Sequence, residues 1–178
     1  MSTYIAMLRG INVSGHKTIK MEQLRACFAG LGFSDVKTYV QSGNVIFSAA
    51  KNSEAQLKKM IEQRISRDFG HSVPIFLRTS KKMAEVIQRN PFLNDRAIDP
   101  SKLHVTFLSD APPKAALDHL KPLAAQSEKI QIIGREIYLY CPDGYGSTKL
   151  SNTAIEKKLS VGATTRNWKT VNTLMEMA

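Results

Sequence analysis

Apolar and polar residues in the first half of the chain follow alternating strand and helix periods. Their order predicts β-α-β-β-α-β, with strands at 3–8, 35–40, 44–48 and 73–78 and helices at 20–29 and 53–70. The apolar stripes of the two helices are Met21, Leu24, Cys27, Phe28 and then Leu57, Ile61, Ile65, Phe69. Ser53 and Gln56 have the spacing of a capping box, and Gly70 ends the second helix.

The stretch Tyr39–Phe47 lies at the centre of this pattern and predicts a β-hairpin. We place its turn at Ser42-Gly43-Asn44, because Gly43 and Asn44 tolerate the positive φ that tight turns require. The complete order matches the ferredoxin-like split βαβ unit.

The second half repeats that order. A linking helix at 80–88 leads to the Pro- and Asn-rich segment 90–100, which we take as the boundary between halves. The second half then predicts a strand at 102–108, a short helix to about residue 120, a hairpin of 130–133 with 136–141 across Gly134-Arg135, and a helix from Ser147 to Leu159. The run Thr164–Asn167 is predicted to begin a last helix, where a fourth strand could have stood.

The predicted fold class is therefore α+β, with two ferredoxin-like βαββα(β) halves whose helices pack on antiparallel sheets. The predicted domains are 1–90, which includes the linking helix, and 91–178, which includes the C-terminal helix.

Charge is the unusual bulk property of the chain. It has 25 Lys and Arg against 15 Asp and Glu, a net charge of +10 and a pI near 9.7. Such an excess favours association with phosphates or acidic partners through long-range attraction, although solvated surface lysines would give the same composition.

Several classes of function are disfavoured. The apolar runs are too short to span a bilayer, and the N-terminus predicts a strand and not a signal peptide, so we expect a cytoplasmic protein without a membrane partner. Two distant cysteines and four scattered histidines predict no metal site, and nothing indicates a cofactor. The strand at 44–48 lacks the paired aromatic residues of an RRM. The sequence gives no indication of the oligomeric state.

The loop Gly10–Thr18 resembles a phosphate-binding loop without fulfilling its pattern. His16 separates Gly15 from Lys17, and the chain continues into a hairpin and not a parallel crossover, which argues against an NTPase. Weaker anion binding by Arg9, Lys17 and loop amides is one interpretation, and a purely structural turn is the other. Ser42 could be a nucleophile, but its place in a turn explains it better.

A second polar group lies near the C-terminus. Lys149, Asn152 and Glu156 would share one helix face, and Thr164–Asn167 would place Arg166 at a helix start, where an anion is favoured. Caps and a solvated arginine explain the same residues equally well.

Five motifs are distinctive in their order: Leu8–Val13, Gln41–Val45, Asn90–Phe92, Lys149–Asn152 and Thr165–Trp168. Through them essentially the whole chain resembles a bacterial family catalogued as domain of unknown function 1697. The resemblance implies a bacterial cytoplasmic protein of two α+β halves, and it brings no activity, cofactor or partner with it.

We therefore expect a non-enzymatic binder of an anionic partner, with nucleic acid preferred. The alternative is an enzyme or sensor for a small phosphorylated or carboxylated metabolite bound between the halves, and a further reading is an interaction module that pairs through an open sheet edge. The candidate ligand-binding residues are Arg9, Asn12, Lys17, Ser42, Asn44, Lys149, Asn152, Thr165, Arg166 and Asn167.

Overall fold

The computed structural model describes residues 1–178, which form two compact units. The first comprises residues 1–84 with 174–178, and the second comprises residues 85–173.

The first unit contains a four-stranded antiparallel sheet. Its elements are β1 (Ser2–Leu8), α1 (Met21–Ala29), β2 (Ser34–Tyr39), β3 (Asn44–Ala49), α2 (Glu54–Phe69), β4 (Ile75–Thr79) and the start of α3 (Ser80–Gln88). The strand order is β2-β3-β1-β4, so β2 of the hairpin forms one edge of the sheet and β4 forms the other. This arrangement confirms the predicted fold class for the first half.

Alternation along the strands divides the apolar residues between the two faces of this sheet. One face packs on α1 and α2, where Phe47 stacks on Phe33 with ring centroids 4.6 Å apart and meets the edge of Phe28 at 5.3 Å. The predicted capping box between Ser53 and Gln56 begins α2.

The centre of the opposite face of the sheet is also inaccessible to solvent, whereas Lys37, which lies opposite Ile46 on that face, is exposed. Ile5, Met7, Ile46, Phe76 and Arg78 alternate with the helix-packed residues, and none is more than 3% exposed. An RRM binds RNA through exposed aromatic side chains on such a face, and here the side chains at the centre of the face are buried.

The second unit repeats the same order of elements. These are β5 (Leu103–Leu108), α4 (Ala116–Leu120), β6 (Lys129–Ile133), β7 (Glu136–Tyr140), α5 (Asn152–Leu159), β8 (Ala163–Asn167) and the start of α6 (Trp168–Met177), with 3-10 turns at Pro100–Lys102, Lys121–Leu123 and Tyr145–Ser147. All strands of the sheet are antiparallel in the order β6-β7-β5-β8. The core under its helices includes Leu108, Leu120, Leu139 and Ile155.

The prediction that Thr164–Asn167 begins a helix was wrong, because these residues form most of β8. They pair in register with β5, from Phe107 opposite Thr164 to His104 opposite Asn167. Two adjacent β-branched threonines suit an edge strand that completes the sheet, and the helix starts only at Trp168.

The two units also share individual hydrogen bonds and a buried arginine at equivalent positions. The amide of Leu8 donates to the Gly43 carbonyl, and the equivalent amide of Leu108 donates to the Arg135 carbonyl. Arg78 in β4 and Arg166 in β8 are both buried, and each donates Nη1 to the carbonyl of the residue before it, at 2.8 and 3.0 Å.

Two predicted boundaries are also corrected. The helix predicted from Ser147 begins at Asn152, with the Ser151 hydroxyl accepting from the Ala154 amide, so Lys149 is not on that helix. In the first hairpin, Asn44 is the first residue of β3, and the positive φ values belong to Val40 and Gly43, at 54° and 82°.

Candidate functional site

Three loops meet at one end of the first sheet, and we call this region the three-loop end. It comprises the β1–α1 loop (9–20), the β2–β3 turn (40–43) and the α2–β4 loop (70–74). Asn12 Nδ2 donates to the Gln41 carbonyl at 2.8 Å, and Lys17 Nζ donates to the Ser72 carbonyl at 2.6 Å. The amide of Arg9 reaches the Pro74 carbonyl at 3.1 Å. The β1–α1 loop is therefore bonded to both of its neighbours.

Asn12 is the principal link within this region. Besides Gln41, its Nδ2 donates to the Ile19 carbonyl at 3.0 Å, and its Oδ1 accepts the Ile19 amide at 2.8 Å. Its φ is 54°, in the left-handed region that asparagine tolerates better than most residues. Asn12 thus closes the β1–α1 loop on itself and ties it to the hairpin, which is a positioning role.

The electrostatic character of the three-loop end is uniformly basic. Its loops contain Arg9, Lys17, Lys20, His16 and His71 and no Asp or Glu. The first unit as a whole has thirteen Lys and Arg against six Asp and Glu, which gives +7 of the net charge of +10. An anion approaching these loops meets no carboxylate among their own side chains.

Lys17 and Lys20 present their charges differently. Lys17 is half-buried, its φ is 47°, and its Nζ bonds a carbonyl and forms no ion pair. Lys20 is exposed at the N-cap of α1, where no side chain caps the helix. The free amides of a helix start add to the attraction for an anion. The first turn of α1 also holds Glu22, and in α2 Glu62 accepts the Ile75 amide at 3.1 Å.

The remaining candidates of the first unit shape the turn. Asn44 is buried, and its Nδ2 donates to the Tyr39 carbonyl at 2.9 Å and to Ser42 Oγ at 3.1 Å. Gly43 lies so close to the β1–α1 loop that a Cβ there would be 2.5 Å from Ile11 Cδ1. Ser42 is exposed in the turn, and Asn44 is structural.

In the second unit, Asn152 and Thr165 come together. Thr165 Oγ1 donates to Asn152 Oδ1 at 2.7 Å and lies 2.7 Å from Thr106 Oγ1, which joins α5, β8 and β5. Beside them His104 stacks on Tyr145, with ring centroids 4.9 Å apart.

His104 was not predicted as part of this group. Its Nδ1 is buried and makes no hydrogen bond of ordinary geometry. Burial is the largest influence on His104 and lowers its pKa, while the Lys102 backbone acts in the opposite direction. The one sequence signal for this group was the alternation of His104, Thr106 and Leu108 on one strand face. It identified the group only once the pairing of β5 with β8 showed that Thr165 lies opposite Thr106.

The other predicted residues of the second unit are dispersed. Arg166 lies on the opposite sheet face from Thr165, is 8% exposed, and donates Nη1 to Thr164 Oγ1 at 2.8 Å. Burial lowers the pKa of Arg166 to about 10. Asn167 Oδ1 accepts the Thr170 amide and so caps α6. Lys149 is exposed in the segment before α5 and lines a cavity of about 160 Å³. These residues do not form one anion site.

Other chemically relevant groups are structural. Burial raises the pKa of the Cys27 thiol to about 11 and that of Cys141 to about 12, so both remain protonated at neutral pH. No three His, Cys, Asp or Glu side chains are grouped so that they could hold a metal ion. None of the helices is both long and apolar enough to cross a membrane.

The fold defines an α+β protein made of two ferredoxin-like units. The chain belongs to the family described as protein of unknown function DUF1697, which it matches over residues 1–138. It is similar in structure to the conserved bacterial protein SP0830 from Streptococcus pneumoniae, with a TM-score of 0.78 and 21% sequence identity. That similarity covers 99% of this chain and 98% of the other, and it concerns the fold alone. No curated protein matches the chain.

Proposed function

We propose that the protein binds the phosphate backbone of nucleic acid through the three-loop end, without catalysing a reaction. The observation that carries this proposal is the composition of the β1–α1 loop and the two loops bonded to it, which contain Arg9, Lys17 and Lys20 and no carboxylate. Cations held on a common surface attract phosphates over a long range and release condensed counterions when they bind.

The rest of the first unit favours contact with phosphates over reading of bases. The central residues on both faces of its sheet are buried, and none of the aromatic side chains in the chain is fully exposed. The three loops contain no Phe, Tyr or Trp. Stacking on aromatic rings is the usual source of affinity for unpaired bases. We therefore expect little sequence preference and no strong preference for single strands.

The test is a titration of labelled duplex DNA, duplex RNA and single-stranded oligonucleotides, followed by fluorescence anisotropy over a series of salt concentrations. Three phosphate contacts predict that log K falls with log salt with a slope of about −3. Lys20→Gln should make this slope shallower by about one, because one contact is lost.

Lys51→Gln is the matched control. Lys51 is an exposed lysine that follows the opposite end of β3, and its loss should leave the slope unchanged. Absence of binding at low salt would overturn the proposal, as would equal effects of the two substitutions. Stabilisation by a small phosphorylated metabolite, without binding to any oligonucleotide, would support the sensor or enzyme instead.

A further inference from the structure

The outer edge of β6 carries unpaired backbone groups. β6 ends the strand order of the second sheet, and the two-residue connection Gly134-Arg135 makes Ile133 and Glu136 a hydrogen-bonded pair. By alternation Gln131 also bonds to β7, while the amide and carbonyl groups of Ile130 and Ile132 point away from the sheet. No hydrogen bond within the chain involves these four outward groups.

This edge differs from its counterpart in the first unit. In β2 the pairing shifts between Ser34 and Lys37, and Asp35 has a φ of 52°. Such an irregularity disrupts an edge and hinders the addition of another strand. The register of β6 is continuous from Lys129 to Ile133, so β6 retains a regular edge.

We propose that β6 pairs with β6 of a second copy of this chain, in antiparallel orientation about Gln131. In that register Ile130 of each copy lies opposite Ile132 of the other, and the outward groups make four hydrogen bonds. Apolar side chains oppose apolar ones, and the two exposed Gln131 side chains face each other. Lys129 lies opposite Ile133, and its charge is already paired with Asp95 at 3.3 Å.

The self-complementary sequence is the reason for choosing a second copy over an unrelated peptide. Five residues per strand bury less surface than a standard interface, so the dimer is weak and forms at high protein concentration. The two sheets would then continue into one eight-stranded sheet across the symmetry axis.

The test uses charge at the symmetry axis and sedimentation equilibrium up to millimolar protein. Gln131→Glu and Gln131→Lys each place like charges directly opposite, and each should weaken self-association up to about fivefold. An equimolar mixture of the two variants should form a heterodimer at least as well as the unmodified chain forms its homodimer. The same substitutions at Gln126, an exposed residue outside the strand, should have no effect.

Amide hydrogen exchange provides a second measurement. Exchange at Ile130 and Ile132 should slow as the concentration of the unmodified protein rises, and should not slow in the Gln131→Glu variant. A protein that is monomeric throughout the concentration range would overturn the proposal. A dimer whose affinity is unchanged by either Gln131 substitution would also overturn it, as would charge variants that fail to associate when mixed.

Discussion

Replacement of Asn12 should destabilise the first unit more than its partly exposed position suggests. The side chain makes three hydrogen bonds, two as a donor to the carbonyls of Ile19 and Gln41 and one as an acceptor from the Ile19 amide. Each such bond contributes roughly 1 kcal/mol, and a partner left unsatisfied costs more when water cannot replace the lost group. We expect Asn12→Gly to lower the free energy of unfolding by about 2–3 kcal/mol.

Asn12→Ala separates the hydrogen bonds from the backbone conformation. Both substitutions remove the same three bonds, but alanine must also adopt the φ of 54°. A left-handed conformation costs a residue with a Cβ roughly 1 kcal/mol or more, so the alanine variant should be less stable than the glycine variant by about that amount.

Urea unfolding at neutral pH, followed by circular dichroism, measures both differences. Equal m-values would show that the substitutions act on stability and not on the compactness of either state. A loss of less than about 0.5 kcal/mol in Asn12→Gly would show that the three bonds contribute far less than ordinary hydrogen bonds do. An alanine variant as stable as the glycine variant would show that the backbone of residue 12 is not strained.

Two further substitutions test other contacts. Gly43→Ala should lower the free energy of unfolding by about 2–4 kcal/mol, because the new Cβ would lie 2.5 Å from Ile11 Cδ1 and 2.9 Å from Leu8 Cβ at a φ of 82°. A loss below about 1 kcal/mol in urea unfolding would contradict this close packing. In His104, burial lowers the pKa of the folded state below the unfolded value near 6.5. The neutral side chain therefore contributes stability that is fully present above pH 6.5 and is lost as the pH falls through the folded pKa. His104→Phe keeps a ring against Tyr145 and should flatten this pH dependence in thermal melts between pH 8 and pH 5; an unchanged slope would show that another group titrates.

Much of the fold was accessible from local patterns. The apolar stripes of α1 and α2, the capping box at Ser53 and the two-residue turn at Gly134 each identify an element from a few neighbouring residues. These signals depend on interactions within one helix or one hairpin, so no knowledge of distant residues was needed.

The errors arose where local and distant interactions compete. Thr164–Asn167 has the cap residues of a helix start, yet pairing with β5 makes it a strand. As a strand it sends Thr165 and Arg166 to opposite faces, so residues that are adjacent in sequence do not form one site. Asn44 is a residue type common in turns, but its pairing with Met7 and Tyr39 makes it the first residue of β3.

The sequence by itself determined the order of helices and strands as far as α5, the resemblance in order between the two halves and the basic excess, because periodicity and charge are properties of the chain. Tertiary structure decided which polar residues meet. The bonds of Asn12 to Gln41 and of Lys17 to Ser72 span 29 and 55 positions, and no local pattern encodes a contact over such a separation. Strand pairing fixes these contacts, because register determines which loops share an end of the sheet and which side chains share a face.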